Sequence, residues 1–262
     1  MQEVIGVVPA AGSAERLGWL PCSKELLPLL RSAPRSVEEA GEVEPEPVCY
    51  GVLRAMSQAG IQRAYVTIRN GKWDVPDHLG RGQRVGLALS YLVLDASPSP
   101  AHSIDAAYPF TADSIIALGF PDVLLRVTDP FGALLERWRE SEAEVVLGLF
   151  PPARDYRTER VTVGEDGRVL AIDPVPAGED DRPTWTLAVW GPVFGRYLHD
   201  AVEEWNRAAS AAELEELVLG DVLRSALEDG LTIAGLQVSE EPFADVGHPD
   251  RLMAALRDAY GK

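Results

Sequence analysis

Short apolar runs and amphipathic stretches alternate along the first 150 residues. Val4 to Val8 is a compact, β-branched run that stops at Pro9 and a small-residue loop, the pattern of a strand buried on both faces of a parallel sheet. Ala64 to Ile68, Leu87 to Val93, Ser114 to Phe120 and Val145 to Phe150 repeat that pattern, with helical periodicity between most of them. The clearest helix covers Val48 to Gln58: Cys49, Val52, Leu53 and Met56 fall on one face and Gly60 follows as a stop. Its apolar stripe should lie on the sheet. Two segments break the rhythm, an exposed excursion rich in Glu and Pro from Arg31 to Pro47 and a Ser/Pro tract from Val93 to Pro100 beside the middle of the sheet. Loops of this kind often border binding sites.

After Phe150 the pattern changes. Arg160 to Val163 and Arg168 to Ile172 flank Glu165-Asp166-Gly167 as a hairpin, Thr184 to Trp190 gives another strand, and the remainder reads as mostly helical. Asp245-Val246-Gly247-His248-Pro249 interrupts it as a turn before a final amphipathic helix from Asp250. No internal repeat or linker stands out. These elements predict one continuous α/β domain, a mainly parallel twisted sheet flanked by helices with a smaller β-containing lobe over its carboxyl edge. We place the second substrate with the residues after about 125.

Composition narrows the function. The 262 residues carry 24 basic and 41 acidic side chains, a formal charge of −17, and such a surface repels phosphodiester backbones, so nucleic acid is not an expected partner. The opening MQEVIGVVPAAG lacks a basic lead, and no apolar run is long enough to span a bilayer; neither export nor membrane insertion is expected. Cys22 and Cys49 are too few for a disulfide framework or a zinc cluster, which points to the cytoplasm. In so acidic a chain, a basic residue in a small-residue loop stands out.

Arg16 and Lys24 are such residues. The loop after the first strand runs Pro9-Ala10-Ala11-Gly12-Ser13-Ala14-Glu15-Arg16-Leu17 and continues Pro21-Cys22-Ser23-Lys24-Glu25-Leu26-Leu27-Pro28. Small side chains let backbone N–H groups of residues 10 to 15 approach a polyphosphate, while Arg16 and Lys24 supply charge for its oxygens. The segment is neither a P-loop nor a GxGxxG loop. Its plain alternative is a tight turn with two solvated cations.

Strand, AAG, a polar residue and Arg, then Ser-Lys followed by Leu-Pro resembles the opening of the nucleotidyltransferases that make NDP-sugars, including glucose-1-phosphate thymidylyl- and uridylyltransferases. The family pattern is commonly GxGTR, a spacer and PK; here Ala14 and Glu15 replace its second Gly and its Thr. Three further segments follow in the family's order. Pro47 to Ile61 is similar to the helix after the signature, with Ile68 to Asp74 beyond it; Leu118-Gly119-Phe120-Pro121-Asp122 resembles a strand-end acidic motif; and Phe243 to Pro249 resembles W-x-D-x-G-T-P.

The resemblance implies that Ala10, Ala11, Gly12, Ser13, Ala14 and Glu15 cradle the nucleotide. Arg16 would face the departing pyrophosphate and Lys24 the α-phosphate, with Asp122 and Asp245 holding Mg²⁺. Without the family, Asp122 reads as a cap or turn residue and Asp245 as an Asx turn. His102-Ser103-Ile104-Asp105-Ala106 is similar to the G-T-A-D/Q-A segment near base and sugar, although His102 replaces a glycine and reads as a loop residue. Asp105 is thus an acceptor-side contact, with Asp173 and Thr186 from the strands after Phe150. Ile172-Asp173-Pro174 stands where the family often has E-K-P, so its lysine is absent.

The expected activity joins a nucleoside triphosphate to a phosphorylated small molecule, first of all a sugar 1-phosphate. A non-sugar alcohol phosphate or phosphonate is an alternative acceptor, and a non-catalytic nucleotide-binding regulator is an alternative from another class. A homo-oligomer is compatible with each of these. A metal-dependent glycosyltransferase fits less well, because no D-x-D follows a strand.

Overall fold

A computed structural model describes residues 2–31, 44–152, 158–175, 178, 180–209 and 216–261. In chain order the elements begin with β1 (Val4–Ala10), β2 (Leu30–Arg31), β3 (Pro45–Glu46), α1 (Cys49–Gln58), β4 (Arg63–Arg69), α2 (Asp74–Leu79) and β5 (Ala88–Leu94). Next come α3 (Pro100–Asp105), α4 (Tyr108–Thr111), β6 (Ile115–Gly119), β7 (Val123–Leu124), α5 (Pro130–Glu140) and β8 (Val145–Phe150). The chain closes with β9 (Thr158–Val163), β10 (Val169–Val175), β11 (Thr184–Trp190), α6 (Pro192–Ala209), α7 (Leu219–Glu228), β12 (Ile233–Gln237), β13 (Ala244–Asp245) and α8 (Pro249–Tyr260).

Seven strands form the central sheet in the order β12-β8-β11-β6-β1-β4-β5. Strands β6, β1, β4 and β5 pair in parallel, β12 is parallel to β8, and β11 runs antiparallel to both of its neighbours. The sheet is therefore mainly parallel, as its apolar runs indicated. Strand periodicity divides β1 between two cores: Ile5 and Val7 join the cluster containing α3, α6 and α7, whereas Val8 and Ala10 join the one containing α1, α2 and α5. Gly119 permits a close approach of helices to the sheet, since a Cβ there would stand 2.2 Å from a Val52 methyl on α1 and 3.1 Å from the Phe131 ring on α5. The helices thus pack against the strand end from which Asp122 departs.

The smaller lobe is the β9–β10 hairpin, a separate antiparallel pair with Asp173 opposite Arg160. One expectation is extended and another corrected. The C-terminal part is mostly helical, in α6, α7 and α8, but it also holds an unforeseen strand: residues 233–237 form β12 and extend the main sheet beside β8. The Ser/Pro tract leaves the edge strand β5, not the middle of the sheet, and leads back beneath β1 through α3, where Ser99 caps the helix by accepting from the His102 N–H and Pro100 occupies the first turn. Of the excursion from Arg31 to Pro47, residues 32–43 lie outside the described residues; its described ends pair as β2 and β3. Among the described residues no helix is long and apolar enough to cross a membrane.

Candidate active site

Parallel strands direct their carboxyl ends to one edge, where loops leave room for a ligand. A cleft of about 1270 Å³ opens there. The β1 loop forms one wall with Pro9, Ala11, Gly12, Ser13, Ala14, Glu15 and Arg16, and Lys24, Asp122, Asp245 and Gly247 lie in the same cleft. Ala10 belongs to the core, 1% exposed, and only its backbone bears on the loop. Ala14 adopts a left-handed conformation (φ 58°, ψ 24°) that Gly accommodates more readily, and Gly18 at φ 70° ends the short turn that carries Arg16. Arg16 Nη1 lies 3.2 Å from His248 Nε2, joining the loop to the C-terminal segment.

Lys24, Asp122 and Asp245 converge although they come from the two ends and the middle of the chain. Antiparallel pairing of β13 with β7 sets Asp245 opposite Val123, and the Val246 N–H donates to the Asp122 carbonyl at 3.0 Å. Lys24 Nζ donates to Asp122 Oδ2 at 2.6 Å. A Cβ added to Gly247 would stand 2.9 Å from Asp245 Oδ1, 3.4 Å from Asp122 Oδ2 and 3.5 Å from Lys24 Nζ, which places all three head groups around one point. A Cβ on Gly12 would stand 3.8 Å from the same Nζ, so the lysine also abuts the loop. Burial alone would lower the Lys24 pKa, but the Asp122, Glu25 and Asp245 carboxylates outweigh it and hold the ammonium above its ordinary value. Lys24 is therefore a fixed cation at neutral pH.

The turn reading of Asp245 is realised as well: its Oδ1 accepts the Gly247 N–H at 2.7 Å, and Arg251, 7% exposed on α8, brings Nη1 to 3.7 Å from Oδ2. For a magnesium ion, the two hard carboxylates of Asp122 and Asp245 beside the β1 loop are a fitting donor set, because Mg²⁺ commonly keeps water and substrate phosphate for its remaining positions. Among the described residues no group of three or more His, Cys, Asp or Glu side chains is arranged to hold a metal.

The cleft is also lined by Arg69, Asp95 to Pro100 and Ser103 from the first half of the chain and by Glu159, Pro174, Thr186, Glu216, Val218 and Asp221 from the second. Thr186 thus reaches the cleft, 4% exposed. Asp173 does not line it; Arg182 Nη1 holds its Oδ2 at 2.7 Å within the hairpin lobe. Asp105 also lies elsewhere, paired with His199 Nδ1 at 3.0 Å between α3 and α6, where burial pushes its carboxyl above the ordinary range against the pull of that imidazole. Each has a near neighbour in the cleft instead: α3 presents Ser103 to it, and β10 presents Pro174. His102 is likewise a structural residue, bonded to Ser99 and Asn206 and set edge-on to Trp205. Glu159 accepts from Trp185 Nε1 at 2.8 Å, and burial raises its pKa.

Sequence reasoning missed the support beneath the loop. Lys72 Nζ donates to the carbonyl oxygens of Ala10 (2.7 Å) and Gly12 (3.3 Å) and to both oxygens of Glu25 (2.8 and 2.7 Å). Asp74 accepts from the Ser23 N–H at 2.6 Å and its hydroxyl at 2.8 Å. Burial pushes the Glu25 carboxyl up, offset in part by Lys72 and Lys24. The same burial, with Asp74 and Glu25 nearby, pushes the Cys22 thiol up, the opposite of what a nucleophilic thiolate needs. The one signal in the sequence was a lysine and an aspartate directly after a parallel strand.

No protein-family model matches the chain. It is similar to a low-salt glycan biosynthesis nucleotidyltransferase of Haloferax volcanii, 24% identical over 254 residues, covering 95% of this chain and 64% of that protein. A glucose-1-phosphate thymidylyltransferase of Streptomyces antibioticus is 23% identical over 216 residues, covering 81% of this chain and 57% of the other. The chain spans about three fifths of the length of these curated relatives. Among solved structures, a Bacillus anthracis protein described as a candidate glucose-1-phosphate thymidylyltransferase, in complex with sucrose, superposes with a TM-score of 0.76 at 18% identity, covering 99% and 98% of the two chains. A UDP-glucose pyrophosphorylase complexed with UDP-glucose gives 0.71 at 15% identity, covering 98% of each chain. The resemblance drawn from the motifs therefore holds: the named relatives are sugar-nucleotide nucleotidyltransferases, and the fold is theirs.

Proposed function

We propose that the chain is a nucleotidyltransferase that joins a nucleoside triphosphate to a sugar 1-phosphate, forming an NDP-sugar and releasing pyrophosphate. The observation that carries this reading is the meeting of Lys24, Asp122 and Asp245 at the β1 loop, a cation and two carboxylates beside a run of small residues that line the same cleft. In the reaction an acceptor phosphate oxygen attacks the nucleotide α-phosphorus in line, and the bond to the bridging oxygen of the departing pyrophosphate breaks. No protein nucleophile is needed. The loop N–H groups and Arg16 neutralise the leaving pyrophosphate, and Lys24 bridges the α-phosphate and the incoming phosphate. Asp122 and Asp245 would hold Mg²⁺, which when bound supplies charge neutralisation to the phosphate oxygens. On this reading the nucleotide occupies the part built by residues up to about 125 and the acceptor the part built by those beyond it.

One observation favours a second acceptor class. The acceptor end presents Glu159, Glu216 and Asp221, and no lysine replaces the family's at Asp173. The carboxylates accept hydrogen bonds from the donor groups of either kind of acceptor, and the loss of the family's lysine is what favours a non-sugar alcohol phosphate or phosphonate. A screen for pyrophosphate release, nucleoside triphosphates against phosphorylated acceptors with magnesium, tests both; thymidine or uridine triphosphate with glucose 1-phosphate comes first. Tight triphosphate binding without turnover on any acceptor would replace the enzyme with a nucleotide-binding regulator.

A further inference from the structure

The proposed reaction needs the β1 loop to turn its N–H groups into the cleft, and the role of Lys72 rests on that reading. Every described peptide bond is trans, so each C=O and the N–H of the next residue point to opposite sides. Lys72 draws the Ala10 and Gly12 carbonyls toward its ammonium. The Ala11 and Ser13 N–H groups must then face away from Lys72, which does not itself line the cleft, while Ala11 and Ser13 do.

The same ammonium holds Glu25, 1% exposed and next in sequence to Lys24, while Asp74 from the same segment holds Ser23 on the other side. Lys24 therefore sits on a backbone fixed at both neighbours. We propose that Lys72 is the positioning residue of the site. It sets the peptide orientation of the phosphate cradle and, through Glu25, the place of Lys24, without touching either substrate. A purely structural ion pair would need only Glu25; the two loop carbonyls are what a pair supporting the fold alone does not require.

Two variants separate the roles, each measured for thermal midpoint, triphosphate affinity and turnover. Lys72→Arg keeps the charge for Glu25, but its planar fork cannot also serve both carbonyls. It should keep the midpoint of the wild type while triphosphate binding weakens about tenfold or more and kcat falls with it, the acceptor KM staying unchanged. Glu25→Met with Lys72→Met removes both charges together, so no carboxylate is stranded, and should show the same loss in a folded protein. Either variant, folded, binding triphosphate and turning over like the wild type would overturn the proposal. Because affinity is read without an acceptor, a wild type that binds triphosphate but never releases pyrophosphate fails the reaction and leaves this test standing; one that binds no triphosphate overturns both.

Discussion

The two ends of the cleft are built differently. On the side that the proposed reading gives to the nucleotide, Arg16 and Lys24 stand on the loop after the central strand β1, held by a buried network: Glu25 is 1% and Lys72 11% exposed, and Lys24 and Asp122 are nearly as enclosed. At the acceptor end the supporting β9–β10 hairpin forms a sheet of its own, and its ion pairs join Arg182 to Asp173 and Asp180 near solvent, Asp173 being 47% exposed. Charges fixed away from water act without reorganising, whereas exposed pairs are screened. On the proposed reading, the groups that do the chemistry stand on an enclosed network, and the lobe beside the acceptor carries more exposed ion pairs.

The largest effect should come from the enclosed end. Lys24→Ala should lower kcat about a hundredfold or more with the fold intact, measured by pyrophosphate release and circular dichroism, because a preorganised cation at the reacting phosphates is removed. Unchanged kinetics would make Lys24 a partner of Asp122 and nothing more.

The next effect lies at the boundary. Burial raises the Glu159 pKa from its ordinary 4.5, so the folded protein holds that proton more tightly than the unfolded chain. Its contribution to stability is present below the ordinary value and is lost as pH rises through the raised one. Glu159→Gln, which still accepts from Trp185, should therefore be more stable than the wild type at pH 8, with the gain vanishing toward pH 4, as read by thermal unfolding at the two pH values. A gain that grows on acidification would reverse the assignment. Smaller still, Ala14→Gly relieves a left-handed backbone and should alter stability by about 1 kcal/mol or less, read by thermal unfolding. Arg182→Ala in the lobe should move Tm by no more than about 2 °C and affect only the acceptor KM. A larger loss of Tm there would show the acceptor end to be as firmly held as the other.

The same contrast governs what could be read from sequence. The nucleotide end was legible because strand periodicity, a small-residue loop and isolated cations in an acidic chain all lie between Val4 and Pro28. Strand β8 was legible as an apolar run and β11 as a β-branched and aromatic one. Strand β12 was not: Ile233-Ala-Gly-Leu-Gln is short, contains glycine and follows two helices, and only its pairing with β8 makes it a strand. Lys72 and Asp74 were seen as part of a motif, but their grip on residues 10 to 25 depends on β1 and β4 lying side by side, which no local pattern encodes. Asp105 and Asp173 were placed by alignment to motifs whose neighbours had changed; a helix or strand turns only some of its residues toward a cleft, and each place there fell to a near neighbour.

The central claim is transfer of a nucleotidyl group within this cleft. Phosphorus NMR of the chain with magnesium, thymidine or uridine triphosphate and glucose 1-phosphate tests it most directly. A nucleoside-diphosphate sugar and inorganic pyrophosphate should appear in equal amounts, both about a hundredfold or more slowly with Lys24→Ala. Triphosphate consumed with release of orthophosphate and no coupled product would contradict the claim.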